Sequence, residues 1–243
     1  MMLRIPEPEV MNDPMQVDAY AAADFSSTDQ TVLERISALL QSSATSFPDQ
    51  ARLLDLGCGP GNITALLAQR WPQCSVLGLD AADRMIAVAD ERRRAAGVSS
   101  ERLSYGKAPL PLRQAGQPAD LIVSNSLLHH LHDPQQLWSS LIPLASARCL
   151  VLHRDLRRPD SEASIDRLCQ CHVADAPSVL QRDYRASLHA SFTVEEVKAQ
   201  LLLAGLGHLQ VDAVGDRYLE VSGWIAGLSL IHISEPTRRW SIA

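Results

Sequence analysis

"LLDLGCGPGN", residues 53–62, is an apolar run that turns through three glycines and then enters the amphipathic stretch "NITALLAQRW". Turns of this kind hold many nucleotide ligands, because bare backbone admits close approach and a helix start offers unpaired N–H groups. Gly57, Gly59 and Gly61 do not follow the G-x-G-x-x-G spacing of a dinucleotide turn, since Asn62 stands where its third glycine belongs. The Gly-Lys-Ser/Thr ending of a triphosphate loop is missing as well. What remains is a cradle for a small ligand, with Asp55 just before it and Asp80 at the end of the next apolar run, "CSVLGLD". A carboxylate at Asp80 can accept from both hydroxyls of a ribose, and one at Asp55 suits a cationic ligand end.

Outward from this stretch, apolar runs alternate with amphipathic ones. "RLSYGKA" (102–108), "ADLIVSN" (119–125) and "RCLVLHRDL" (148–156) read as further strands, while "AADRMIAVADERRRAAG" (81–97) and "PQQLWSSLIPLA" (134–145) read as helices. Asn62 is placed to cap the helix after the glycines, and Met85, Ile86 and Val88 are placed to face inward on the next one. Strand-then-helix repetition predicts a parallel sheet covered on both faces, with right-handed crossovers. Upstream, Val32, Leu33, Ile36, Leu39 and Leu40 recur at helical spacing, and residues 1–29 form an arm or lid with one short helix near Val17 to Phe25. After Pro159 come helical stretches at 161–176 and 193–206, the second with Thr193 and Glu196 in capping-box spacing. The polar segment between them, 177–192, shows no clear period. Two alternating runs joined at Gly215-Asp216 then predict an antiparallel hairpin.

In their order and spacing, "LLDLGCGPGN", "VLGLDAADRMI" and "DLIVSNSLLHHLHDP" resemble the class I S-adenosylmethionine-dependent methyltransferases, over about residues 30–225. The resemblance implies an α/β fold: a Rossmann-like, seven-stranded, mostly parallel sheet with helices on both faces and an antiparallel C-terminal hairpin, in a domain spanning 30–227. It implies S-adenosyl-L-methionine as the cofactor, with Gly57, Gly59 and Gly61 against the methionyl part and Asp55 near its amino group. Asp80 would take the ribose hydroxyls, and Ala81 and Met85 would pack beside the adenine. Where many relatives offer an acid to the adenine amino group, this chain has Gly106-Lys107-Ala108, so backbone groups at Lys107 and Ala108 take that place. Asn125 and Ser126 would sit beside the methyl donor and the acceptor. The implied activity is methyl transfer to an oxygen or nitrogen of a small molecule by in-line displacement. A non-catalytic S-adenosylmethionine-binding or regulatory protein on the same fold is the alternative, with a nicotinamide-dependent oxidoreductase behind it.

Three imidazoles and a carboxylate fall within "HHLHD" (129–133). Packing at a helix start is the simplest use for them. A general base at His129 or His130 is needed only where the acceptor must lose a proton, a task that suits an imidazole. No metal is expected there, nor at Cys169, Cys171 and His172, which lack a second ligand pair. Acceptor contacts are expected beyond the ends of the fourth and fifth strands: His153, Arg154, Arg182 and Tyr184, with Tyr20 from the arm. The arginines there would either grip an anionic acceptor or form surface ion pairs in a solvated loop.

Composition sets outer bounds. The chain has 243 residues, 46% of them apolar, enough for one full core. Its net charge of −6 and scattered basic residues give no polybasic stripe, so nucleic acid is not an expected partner. No apolar stretch approaches the ~20 residues that span a bilayer, so no membrane partner is expected either. Five cysteines scattered through expected core elements, and the absence of a cleavable signal, point to the cytoplasm. Nothing in the sequence sets an oligomeric state. Residues 228–238, "LSLIHISEPTR", resemble the in-frame translation of a sequencing-library adapter, so 228–243 read as a non-native tail.

Overall fold

The computed structural model describes residues 2–7, 10, 13–114 and 116–226, and the adapter-like stretch lies outside them. The described residues form one seven-stranded sheet from β1 (Arg52–Leu56), β2 (Ser75–Asp80), β3 (Leu103–Lys107), β4 (Ala119–Asn125), β5 (Ala145–Leu156), β6 (Gln210–Val214) and β7 (Tyr218–Ile225). Their order is β3-β2-β1-β4-β5-β7-β6. The first five run parallel, and β7 lies antiparallel to both β5 and β6. The expected sheet and hairpin are therefore both present. Strand order reverses between β1 and β4, and a crevice opens at such a reversal beyond the carboxyl ends of the strands.

The helices are α1 (Pro14–Ala22), α2 (Ser26–Ser42), α3 (Asn62–Arg70), α4 (Asp83–Ala95), α5 (Gln135–Leu144), α6 (Glu162–His172), α7 (Ser178–Ala190) and α8 (Val194–Leu203). Alternating side chains let each central strand serve two layers. Leu54, Leu56, Ile122 and Val151 pack with Leu137, Trp138 and Leu141 of α5 and with Val197 and Leu201 of α8. Leu53, Leu121, Val123, Leu150 and Leu152 pack with Val32, Leu33 and Ile36 of α2 and with Ile63 and Leu67 of α3. Burial on both faces is why these strands read as continuous apolar runs. Trp138 donates from Nε1 to Gln200 Oε1 at 3.0 Å, so the indole N–H is satisfied inside the core.

Several local expectations shift. Gly61, not Asn62, caps α3: it takes φ +84°, and Asn62 is the first helical residue, accepting from Arg92 Nη1 at 2.8 Å. On α4, Met85 is buried as expected but Ile86 and Val88 are only half-buried, and Ala89, one turn on, completes the inner face. α2 begins at Ser26, ahead of its apolar stripe. The unassigned polar segment is α7, of which only Leu188 and Ala190 are buried. The capping box of α8 forms, with Thr193 N donating to Glu196 Oε2 at 2.8 Å and Glu196 N donating to Thr193 Oγ1 at 3.2 Å.

The described residues before α2 lie back over the crevice. Arg4 donates to the carbonyls of Ala190, His129 and Leu131 and stacks 4.0 Å above the Phe192 ring. Val17 of α1 is fully buried against Ala82 and Met85. No helix among the described residues is long and apolar enough to cross a membrane.

Candidate active site

The glycine turn is tied to the end of the neighbouring strand. Gly57 N and Cys58 N both donate to Leu79 O, at 2.7 and 3.1 Å. Gly57, Gly59 and Gly61 take φ of +69°, +53° and +84°, a region that L side chains rarely adopt. The three glycines differ in what lies beside them. A Cβ on Gly57 would stand 2.7 Å from Leu127, and one on Gly61 would stand 2.5 Å from the Tyr105 hydroxyl. A Cβ on Gly59 would meet nothing within 4 Å, because this glycine faces open space. Asp80 clamps the same turn from β2, accepting from Gly59 N at 2.9 Å and Ala82 N at 2.8 Å. Burial raises its carboxyl above the ordinary value, and these backbone donors oppose that rise.

The open space is a cavity of about 660 Å³, within the range of small-molecule sites. Asp55, Gly57, Gly59, Asp80, Ala81, Met85 and Ala108 line one end of it. Asp55 is 2% exposed and accepts from Thr64 Oγ1 at 2.6 Å; burial pushes its carboxyl up to about 7. Asp29 of α2, which the sequence did not single out, lines the same end, and burial lifts it to about 6. Tyr20 and Phe25, with ring centroids 4.8 Å apart, close the cavity from the arm side.

Asn125 and Ser126 also line the cavity, at the reversal point beyond β4. Ser126 takes φ +54°, an uncommon conformation for a residue with a side chain, held by its N–H donating to Arg154 O at 2.9 Å. The side-chain oxygen of Asn125 is buried and has no hydrogen-bond partner among the described residues. A buried acceptor without a donor is costly. This acceptor and the open face of Gly59 are two features that a bound adenosyl ligand with its own donors would satisfy, so the residues present fit the group that the sequence implies.

His129 is the most constrained titratable group here. It lies in a single 3-10 turn, Leu128–His130, and its Nδ1 is in hydrogen-bond contact with Asp155 Oδ1. Asp155, buried at the end of β5, also accepts from Leu128 N at 2.6 Å and Leu156 N at 2.7 Å. Burial alone would raise the Asp155 carboxyl, but the His129 charge and hydrogen bond outweigh it and hold it at about 2. Burial alone would lower His129, but Asp155 and then Glu7 reverse the direction, so its pKa is raised. Glu7 Oε1 reaches His129 Nε2 at 3.4 Å and His130 Nδ1 at 3.1 Å, and accepts from Ser187 Oγ at 3.1 Å. The ligand-capable atoms of Glu7, His129 and His130 lie within 4.8 Å of one another. Asp155 had one signal, an acid at the polar end of an apolar strand, whereas Glu7 had none, being over a hundred positions away.

The other expected contacts divide. Tyr184 lines the cavity, as does Tyr20. Lys107 does not: it is exposed, and its Nζ pairs with Asp83 Oδ2 at 2.6 Å. His153 is buried away from the cavity, bonded through Nδ1 to Ser124 Oγ at 2.7 Å and edge-on to Trp138, and burial lowers it to about 4. Arg154 is also buried, reaching Thr31 Oγ1 and pairing with Glu220 Oε2 at 3.1 Å, an acid it shares with Arg35. Arg182 points to solvent and pairs with Asp183 Oδ1 at 3.1 Å. An arginine grip on an anion is thus absent from the described cavity wall: alternation along β5 turns Arg154 into the α2 layer instead.

Residues 54–151 match the family described as "Methyltransferase domain". Among curated proteins, the trans-aconitate 2-methyltransferase of Variovorax paradoxus (strain S110) is 37% identical over 133 residues, 54% of this chain and 48% of that protein. The trans-aconitate 2-methyltransferase of Streptomyces avermitilis is 44% identical over 80 residues, 33% of this chain and 29% of that protein. The chain therefore spans less than half the length of these two relatives. Among solved structures, a SAM-dependent methyltransferase from Aquifex aeolicus superposes with a TM-score of 0.61 at 17% identity, covering 89% of this chain and 100% of that one. The plantazolicin methyltransferase BpumL, in complex with SAH, gives a TM-score of 0.68 at 15% identity, covering 88% and 92%. At such identities the superpositions speak for the fold, and residues 54–151 are what the chain has in common with the methyltransferase-domain family.

Proposed function

We propose that this chain transfers a methyl group from S-adenosylmethionine to an oxygen or nitrogen of a small-molecule acceptor. The observation that carries the reading is the pair Asp55 and Asp80 at the carboxyl ends of adjacent parallel strands, with a left-handed glycine turn between them, on one wall of the cavity. Asp80, oriented by two backbone N–H groups, accepts from the ribose hydroxyls. Asp55 faces the amino end of the methionyl part, with Gly57 and Gly59 giving it close backbone, while Gly61 packs against Tyr105 and is not among the residues that line the cavity. Ala81 and Met85 pack beside the adenine with Ala108, while the exposed side chain of Lys107 takes no part. When bound, the sulfonium supplies an activated methyl group for in-line displacement. The protein's share is alignment and exclusion of water, which can lower a barrier by ~7–11 kcal/mol.

Asn125 and Ser126 position the acceptor, and His129 takes its proton at Nε2 while Asp155 fixes the ring and stabilises the imidazolium. His130 and Glu7 border that nitrogen. The free cysteines fit a reducing cytoplasm. Calorimetry with S-adenosylmethionine, S-adenosylhomocysteine and NAD tests the site, and transfer of labelled methyl into a metabolite extract tests the activity. We expect both adenosyl ligands to bind, NAD not to bind, Asp80→Ala to weaken binding by at least about tenfold, and label to enter a small molecule. Unchanged affinity in Asp80→Ala would overturn the site. Binding without label transfer would leave a non-catalytic binder.

A further inference from the structure

The part of the cavity beyond β4 and β5 belongs to the acceptor on the reading above. Its apolar wall comes from Leu127, Leu131, Leu156, Leu180, Tyr184 and Tyr218. No arginine or lysine is among the described lining residues of the whole cavity. Each imidazole on the wall already has a carboxylate: His129 has Asp155 and Glu7, His130 has Glu7 at 3.1 Å, and His172 has Asp216 at 2.7 Å.

Three of the arginines nearby are committed elsewhere, and Arg217 lies outside the lining residues, its Cζ 4.9 Å from the centroid of the Tyr218 ring. Arg4 holds three carbonyls, Arg154 holds Glu220, and Arg158 holds Glu196 at 2.6 Å and Ser191 O at 3.0 Å. The acids at this end are committed too. Asp183 accepts from Gln16 Nε2 at 2.9 Å and pairs with Arg182, and Glu7 is held by the two imidazoles and Ser187. A charged acceptor would lose its hydration here without gaining a partner of opposite sign, and that imbalance is heavily unfavourable.

We infer that the acceptor is uncharged, with an apolar body and its nucleophilic oxygen or nitrogen at His129, and that polycarboxylates, trans-aconitate among them, are excluded. The inference deepens the methyl-transfer reading and rests on it. The chain differs in this respect from what the names of its curated relatives suggest, and the difference lies in its own wall. A carboxylate of the chain, Glu7, already stands beside both imidazoles.

A matched pair of probes tests this: 2-naphthol and 2-naphthoate share one apolar body and differ by a negative charge. Their binding, with that of trans-aconitate, is measured by calorimetry on the full chain with and without S-adenosylhomocysteine. We expect 2-naphthol to bind at least about tenfold more tightly than 2-naphthoate, and trans-aconitate not to bind. Glu7→Gln should narrow the gap between the naphthyl probes several-fold, because His129 and His130 lose a counter-charge. Tighter or equal binding of 2-naphthoate, binding of trans-aconitate, or failure of 2-naphthol to bind up to its solubility each overturns the inference. Binding of S-adenosylhomocysteine is read separately, so its loss counts against the methyl-donor site and the probe pair still reports on the acceptor end.

Discussion

A carboxyl group buried beside one hydroxyl titrates far from its value in water, and Asp55 is such a group. Its folded-state pKa of about 7 lies above the unfolded value of about 3.9. The stability it contributes is therefore full below about pH 4 and is lost as pH rises through about 7. A cationic ligand end placed beside it reverses the preference, because the ionised form then gains a partner. Binding of S-adenosylmethionine should consequently expel a proton wherever Asp55 is still protonated. We expect close to one proton released at about pH 6 and almost none at about pH 8.5, measured by calorimetry in buffers of different ionisation enthalpy. Thr64→Val removes the hydrogen bond that favours the ionised form, so the release should persist to higher pH. Equal release at both pH values would mean that no cation meets Asp55.

At the scale of the element, the turn between β1 and α3 separates two uses of glycine. Gly57 and Gly59 both sit at positive φ, which costs a substituted residue ~1–2 kcal/mol. Only Gly57 adds a collision, with Leu127, worth ~1–3 kcal/mol more. Gly57→Ala should therefore lower the urea midpoint by more than Gly59→Ala, while Gly59→Ala weakens S-adenosylhomocysteine out of proportion to its stability loss, because its new methyl group projects into the cavity. Affinities that fall in step with stability in both variants would remove the distinction. The same turn shows what the sequence discloses. Strands β1, β4 and β5 are legible because they are buried on both faces, and the capping box of α8 because its two side chains are local. α7 is not legible, since only Leu188 and Ala190 are buried while Leu180 and Tyr184 face the cavity wall. Arg154 misleads for a related reason: polar residues at a strand end look like a ligand grip, but Glu220 and Thr31 come from β7 and α2, and only the folded chain brings them together.

For the whole molecule, we propose that the segment before α2 governs how the crevice opens. Neither of the clusters that flank the sheet includes a residue before Val32, so the core does not depend on that segment. The segment is nonetheless fastened at separate points: Arg4 to three carbonyls, Gln16 to Asp183, Val17 against Met85, and Ala21 O to Arg92 Nη2 at 2.6 Å. Tyr20 and Phe25 lie over the cavity between these fastenings and the start of α2. On that proposal the roof lifts for a ligand to enter and settles again to exclude water, so its fastenings act chiefly on how long the ligand stays. Deleting residues 1–24 should leave a cooperatively melting domain and raise the dissociation rate of S-adenosylhomocysteine by at least about tenfold, with a smaller effect on association. Arg4→Ala cuts one fastening without shortening the chain, and should move the dissociation rate in the same direction by less. Stopped-flow displacement of S-adenosylhomocysteine reads both variants. An unchanged dissociation rate in a folded truncation would make the arm a cover for the sheet edge and not a lid, because a lid that does not slow escape does not close the site.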